Sequence, residues 1–401
     1  MKKLLSLALV AAMTMSLLAG CAGSGNADNT DTNAATEDAN TTGAAGETFK
    51  IGGIGPITGG AAVYGIAVKN GAELAIKEIN EAGGINGYQI EYNFQDDELD
   101  NEKSVNAYNS LKDWGMNMLV GAVTSGCCIA VAAETQNDNM FQITPSGSSV
   151  DCINGNENVF QVCFTDPNQG VGAAQYIGEN NVASKVAIIY DSSDVYSSGI
   201  YAKFVEEAAN QNFEIVSTES FTADNKTDFS VQLAKAQEAD ADLVFLPIYY
   251  TEASLILKQA DSMGYTPKFF GCDGLDGILG VENFDASLAE GVMLLTPFAA
   301  DAEDDATKSF VSTYEAAYGD TPNQFAADAY DAVYVIKAAA EKSGVTPADG
   351  VSGICDKMKA AMTEITVDGL TGVGMSWAAD GTVNKAPKAM EIKNGAYSLI
   401  Q

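Results

Sequence analysis

The sequence predicts an α/β protein of two lobes, each a parallel-rich sheet covered by helices, and three observations carry that reading. Short apolar, β-rich runs alternate with longer intervals of helical period from residue 48 onward. The alternation occurs in two series of similar length that break near Thr165-Asp166-Pro167, and a third section opens at "GVMLLTPF" (291–298). At 401 residues the chain is long enough for two ordinary domains, each with its own core.

In the first series "FKIGGIGP" (49–56) reads as a strand and 64–82 as a helix, because Val68, Ala72, Ala75, Ile76 and Ile79 recur at helical spacing. Then follow strand "IEYNFQ", helix 104–114, strand "MLVGAV", helix 129–138 and strand "FQIT". The second series runs helix to 179, strand "KVAIIYD", helix 200–210, strand "EIVSTESF", helix 229–239, strand "DLVFLPIYY", helix 253–263 and strand "KFFGCDG". The third section carries helices at 306–318 and 326–341. Continuous apolar strands of this kind belong to sheets buried on both faces.

Residues 1–47 precede this machinery. Met1 to Lys3 and the apolar "LLSLALVAAMTMSLL" have the make-up of a signal peptide and are too short to span a bilayer. The run ends in Leu18-Ala19-Gly20-Cys21, which resembles a bacterial lipobox and implies lipidation of Cys21; an ordinary signal peptide with a chance cysteine is the alternative. Residues 22–47 lack aromatic and β-branched apolar side chains and read as a tether.

Composition excludes much chemistry. All 21 basic residues are lysine, and the chain has no histidine and no arginine against 54 acids, a formal charge of −33. Histidine-based triads and imidazole metal sites are therefore ruled out, as is bidentate guanidinium recognition of anions. So acidic a chain offers no basic patch for nucleic acid or anionic lipid. Besides Cys21 there are Cys127, Cys128, Cys152, Cys163, Cys272 and Cys355, whose spacing fits no zinc pattern. Cys152 and Cys163 either pair across a turn or are buried thiols, and no cysteine has a histidine base to activate it. No catalytic residue, metal or cofactor is assigned.

Ligands of open α/β sheets bind beyond the carboxyl ends of the strands. Those ends here are "GIGPITGG", "VTSGCC", "TPSGSS", "DSSDVYSSG", "PIYYTE" and "GCDGLDG", which share glycines, hydroxyls and tyrosines, with a single well-placed acid, Asp273, in the last. None is a phosphate-binding loop or a dinucleotide fingerprint. Singly each is ordinary turn chemistry; six in succession make a pattern.

The run "IGGIGPITGGAAVYGIAVKNGAELAIKEINEAGGINGYQIEYNFQDDE" resembles the branched-chain amino-acid (Leu/Ile/Val) binding proteins of ABC transporters, of periplasmic binding protein type I. "ITPSGSS", "IYYTEASLILKQADSMG", "FFGCDGLDG", "EGVMLLTPF" and "QFAADAYDAV" continue the likeness in order. The resemblance implies two Rossmann-like lobes joined by three hinge crossings, one of residues 48–164 with 295–369 and the other of 165–294 with 370–401. It implies that Ser125 and Ser148, with backbone near Ser146, hold the carboxylate of a small amino acid, and that Asp273 and Tyr249 meet its ammonium. Tyr64 and Tyr196 would line the pocket, and Phe325 would add a wall. Two positions that carry a disulfide in Gram-negative members align with Leu99 and Thr124, so that bridge is absent here.

A buried zwitterion needs both charges answered, since an unmet charge costs several kcal/mol. Without arginine the carboxylate must be met by hydroxyls and by N–H groups at helix N-termini, and the ammonium by an acid. The function that follows is a lipid-anchored, extracytoplasmic solute receptor of an ABC importer, monomeric, taking a branched-chain or otherwise apolar amino acid to a membrane permease. A sensory binding module and an extracytoplasmic enzyme are the alternative classes.

Overall fold

The structure is a computed structural model and describes residues 47–400. The expected signal peptide, Cys21 and nearly all of the tether lie outside the described residues.

The first sheet is built from β1 (Thr48–Gly55), β2 (Gln89–Asp96), β3 (Met118–Gly121), β4 (Phe141–Thr144) and β5 (Val159–Gln161), all parallel, in the order β2-β1-β3-β4-β5. Helices α1 (Ala62–Glu81), α2 (Asn101–Trp114) and α3 (Ser125–Asp138) make the crossovers. From the second series come α4 (Asp166–Glu179), β6 (Lys185–Asp191), α5 (Val195–Ala208), β7 (Glu214–Phe221), α6 (Ser230–Glu238), β8 (Leu243–Leu246), α7 (Tyr250–Ser262), β9 (Lys268–Gly271) and β10 (Met293–Thr296). The chain continues through α8 (Asp305–Tyr318), α9 (Gln324–Ser343) and α10 (Gly350–Met362) to β11 (Lys388–Lys393) and β12 (Ala396–Leu399). The second sheet runs β12-β11-β10-β9-β8-β6-β7, parallel except for the antiparallel β10-β11-β12 edge.

Each sheet reverses strand order beside its first strand, β1 in one and β6 in the other. The crevice opened there, beyond the strand ends, is where α/β proteins bind ligands. Helix α9 returns from the second series to pack on α1, and Gly71 permits the contact, because a side chain there would run into the Ala326 carbonyl. The central strands are apolar: Ile51, Ile54, Val120, Ile143, Ile188, Val244 and Phe245 are fully buried, whereas the edge strands β2, β7 and β12 are polar and partly exposed.

Several elements differ from the sequence reading. Helix α3 begins at Ser125, α5 at Val195 and α7 at Tyr250, each three to five residues earlier than the apolar periodicity places it. Their first turns (SGCC, VYSS and YTEA) are poor in large aliphatic residues, so the hydrophobic stripe starts late. Strand β5, helix α10 and the β11-β12 hairpin go unforeseen. That hairpin turns at Asn394-Gly395, both in left-handed backbone, a strong turn signal in the sequence.

The passages between sheets are also displaced. Strand β10 stays in the second sheet through Thr296, so that crossing follows 296 rather than 294. The stretch after residue 369 remains against the first sheet, because the Trp377 indole donates to the Gln161 carbonyl at 2.8 Å and Gln161 N–H donates to the Gly381 carbonyl at 3.0 Å. The chain re-enters the second sheet only at Lys388. Cys152 and Cys163 are both free thiols, as are the other four described cysteines.

Candidate functional site

At the switch points the two lobes face each other across a small cavity lined by Tyr64, Val123, Thr124, Ser125, Ser146, Tyr196, Tyr249, Asp273, Gly274 and Phe325. Of the ligand-binding residues named from sequence, only Ser148 is missing from that wall.

The acidic end is built by the turn after β9. Asp273 is 4% exposed, and its Oδ1 accepts from the Tyr196 hydroxyl at 2.7 Å. The same hydroxyl accepts from Gly274 N–H at 2.9 Å, so Tyr196 has both its donor and an acceptor site committed. Two glutamines fix the backbone of the turn: Asp273 N–H donates to Gln169 Oε1 at 3.1 Å, and Gln324 Nε2 donates to the Asp273 carbonyl at 2.8 Å. Burial pushes the Asp273 carboxyl up to about 7, with Asp328 adding to the rise and the Tyr196 and Gln169 hydrogen bonds opposing it. A carboxylate so placed lacks a counter-ion.

The opposite end is the N-terminus of α3. Thr124 is its N-cap residue, in extended backbone and with no side-chain cap bond. Thr124 Oγ1 is buried and has no partner among the described residues. Ser125 Oγ accepts from Ser149 N–H at 3.1 Å, and Ser146 donates to the Val123 carbonyl at 2.7 Å. The first N–H groups of a helix have no intrahelical partner and carry the positive end of its dipole, so this end suits an anion. No acid occupies the first turn of α3.

Ser148 is not in that lining. Its carbonyl accepts from Asp166 N–H at 2.9 Å, and its buried Oγ, like both Asp166 carboxyl oxygens, has no hydrogen-bond partner among the described residues. One residue separates it from Ser146, and the turn directs the two side chains differently. Burial raises the Asp166 carboxyl well above the carboxylate range.

Aromatic rings make the remaining wall. Tyr196 and Tyr249 stack with centroids 5.1 Å apart, Tyr64 meets Tyr249 edge-on at 5.6 Å, and Phe325 lies 4.2 Å from Tyr64. The adjacent Tyr250 bridges the lobes instead, for its hydroxyl accepts from Val63 N–H at 3.1 Å and its N–H donates to the Tyr64 hydroxyl at 3.3 Å. The Tyr64 hydroxyl also donates to the Gly274 carbonyl, and Thr251 Oγ1 donates to the Gly60 carbonyl at 2.5 Å. All of these bonds hold the lobes together. The enclosed space is about 10 Å³, room for a single water. Past Thr124 and Tyr249 lies an open cleft of about 650 Å³.

The profile of the periplasmic binding protein family matches residues 48–396, nearly the whole described chain. The chain belongs to the periplasmic binding protein family. Among curated relatives, the Leu/Ile/Val-binding protein homolog 3 of Brucella melitensis is 32% identical over 303 residues, 74% of this chain and 79% of the relative. The leucine-, isoleucine-, valine-, threonine- and alanine-binding protein of Pseudomonas aeruginosa is 29% identical over 75% of this chain and 80% of its own length. Among solved structures, the branched-chain amino acid transporter substrate binding protein LivJ of Streptococcus pneumoniae, in complex with isoleucine, superposes with a TM-score of 0.80 at 32% identity, covering 88% of this chain and 98% of that one.

Within this periplasmic binding protein the sequence missed Gln169, Gly274 and Gln324, and marked Thr124 only as part of the strand-end run "VTSGCC". Thr124 and Gly274 adjoin named residues in strand-end motifs, whereas Gln169 and Gln324 come from distant helix starts with no local mark. Gly274 leaves no room for a side chain: a Cβ there would lie 2.7 Å from the Tyr196 hydroxyl and 2.8 Å from the Ile248 carbonyl. Gly274→Ala is expected to displace Tyr196 from Asp273 and to destabilise the protein by about 1–3 kcal/mol, the usual range for overpacking. Urea denaturation checks the stability, and an unaltered midpoint contradicts the account.

Proposed function

We propose that this chain captures a small amino acid with a branched or otherwise apolar side chain between its lobes and delivers it to the permease of an ABC importer. The observation that carries this is the opposition of a buried, uncompensated Asp273 to the hydroxyl-rich N-terminus of α3 across an aromatic-walled cavity. An α-ammonium beside Asp273 supplies the missing counter-ion. An α-carboxylate at Thr124, Ser125, Ser146 and the α3 N–H groups meets the helix dipole. Tyr64, Tyr196, Tyr249 and Phe325 then surround an apolar side chain. Ser148 supports the turn through its carbonyl, which accepts from Asp166 N–H.

The cavity is far smaller than an amino acid, so uptake requires the lobes to part, breaking the Tyr64, Tyr250 and Thr251 bonds, and to close again on the ligand. The hinge runs through the passages after β5, after β10 and before β11. The protein binds without catalysing: the sequence has no histidine, and burial pushes the Cys127 thiol, at the open cleft, up to about 12. We assign it to the outer face of a bacterial membrane as a monomer, held there by lipidated Cys21 and the 22–47 tether.

L-leucine, L-isoleucine or L-valine at a hundred times Kd should stabilise the protein by about 2.7 kcal/mol. A thermal-shift panel of amino acids reads this directly. No shift with any apolar amino acid would sink the proposal.

A further inference from the structure

Resting on amino-acid capture at the small cavity, we propose that Asp276 is a positioning residue for that binding: it grips the start of helix α9 across the lobes and so holds Asp273 and Phe325 in register around the ligand. The run "DGLDG" (273–277) repeats an Asp-Gly pair three residues apart, and the capture of the ammonium uses only the first pair. Asp276 itself lies outside the lining of the cavity.

The two acids are parts of one rigid unit. Residues Asp273–Leu275 form a single tight helical turn, and Asp276 N–H donates to the Asp273 carbonyl at 2.9 Å. Whatever holds the Asp276 side chain therefore holds Asp273 with it. This turn follows β9 and belongs to the second lobe, whereas α9 packs on α1 in the first. Gln324 opens α9, and the N–H groups of a helix's first turn have no partner inside the helix. The Asn323 side chain accepts one of them, from Ala326, at 3.3 Å. Gln324 N–H donates instead to Asp276 Oδ2 at 2.9 Å. A carboxylate of one lobe thus caps a helix of the other, at the end where the helix dipole favours an anion.

The Gln324 side chain strengthens the same grip. Its Nε2 donates to the Asp273 carbonyl at 2.8 Å, and its Oε1 accepts from Thr296 Oγ1 at 3.2 Å, where the chain leaves the second sheet. Asp276 is 3% exposed and Gln324 2%, so water does not compete for these bonds. Burial pushes the Asp276 carboxyl up to about 7, and Gln324 N–H leads the groups that oppose the rise, followed by the Tyr397 hydroxyl. The next residue, Phe325, is the wall of the cavity against Tyr64. One clasp therefore ties the acid that meets the ammonium to the ring that meets the apolar side chain.

Asp276→Ala removes the acceptor, whereas Asp276→Asn keeps an oxygen that accepts the same N–H. In calorimetric titration with L-leucine, Asp276→Ala is expected to bind about tenfold more weakly or worse, the contribution of a hydrogen bond to a charged group, and Asp276→Asn to stay within about threefold of wild type. Gln324→Pro takes away the donor instead, at the first helical position, which suits proline. It should also lose about tenfold or more, and it decides the matter where Asp276→Ala does not fold. A merely structural role would lower the urea midpoint of these variants and leave the affinity of the folded protein unchanged. Wild-type affinity in Asp276→Ala or Gln324→Pro, or equal affinity in Asp276→Ala and Asp276→Asn, overturns the proposal. Failure of leucine to bind the wild type would count against the amino-acid reading alone. The clasp is then read in the ligand-free protein from hydrogen exchange at the Gln324 amide, which has no other partner: exchange about tenfold faster in Asp276→Ala supports it, and unchanged exchange overturns it.

Discussion

Asp273→Asn is expected to remove amino-acid binding while leaving the fold intact. Losing one partner of a buried, hydrogen-bonded charge pair typically costs 2–5 kcal/mol, which is about 30-fold to several thousandfold in affinity. Asparagine matches the protonated carboxyl in shape and keeps an oxygen to accept from Tyr196, so the Tyr196–Gly274 arrangement survives. The sign of the stability effect follows from the raised pKa. A carboxyl held at about 7 in the folded protein and near 3.9 when unfolded destabilises the fold increasingly as pH rises from about 4 through 7. The ligand-free variant should therefore be at least as stable as the wild type at pH 8. In the wild type an ammonium must be met by the ionised acid, so affinity should fall below pH 7 by up to about tenfold per unit, and the variant should lose that dependence. Asp166 and Asp276 also titrate abnormally nearby, and the variant separates their contribution from that of Asp273. Calorimetry across pH 5–9 checks both statements; affinity within threefold of wild type, or the same pH slope in both proteins, would refute the role of Asp273.

Asp273 was legible because the Gly271-Cys272-Asp273-Gly274 turn carries the family resemblance at a strand end and a ligand's ammonium needs an acid. The lobes were legible because the central strands, buried on both faces, are written as short apolar runs alternating with intervals of helical period. Helix starts were not, since the first turns of α3, α5 and α7 are poor in large aliphatic residues, and the apolar stripe that marks a helix begins a turn later. Ser146 and Ser148 could not be told apart in "SGSS", because which one faces the cavity depends on the backbone path of a single turn. Gln169 and Gln324 were invisible for want of any local pattern: they act on Asp273 from 104 and 51 residues away. The hinge boundaries failed where Trp377 and Gly381, in a stretch without periodicity, tie the chain to β5.

The same stretch holds Lys385, and Lys385→Met is expected to destabilise the ligand-free protein by about 3–5 kcal/mol, the cost of stranding a buried charge. Lys385 is 6% exposed, and its ammonium donates to Asp328 Oδ1 at 2.6 Å, to the Val162 carbonyl at 2.9 Å and to Thr371 Oγ1. Val162 precedes the first passage between the sheets and Lys385 the last, so one ammonium clamps two hinge strands to α9. Asp331 adds a second carboxylate beside it, accepting from Leu370 N–H, Thr371 N–H and Thr371 Oγ1. Burial raises both acids, and Lys385 is the cation that opposes the rise. Without it their folded pKa values climb further from the unfolded value, a penalty that grows with pH above about 4 and is relieved by acid. The loss in Lys385→Met should thus be larger at pH 8 than at pH 5. Replacing the partner as well, in Lys385→Met with Asp328→Leu, should recover part of the stability, because it removes one of the two buried carboxylates that the lost ammonium leaves unmet, Asp331 being the other. Urea denaturation at the two pH values measures all three proteins. A single variant within 1 kcal/mol of wild type, or a double variant no better than the single, would show that the ammonium does not hold the hinge together.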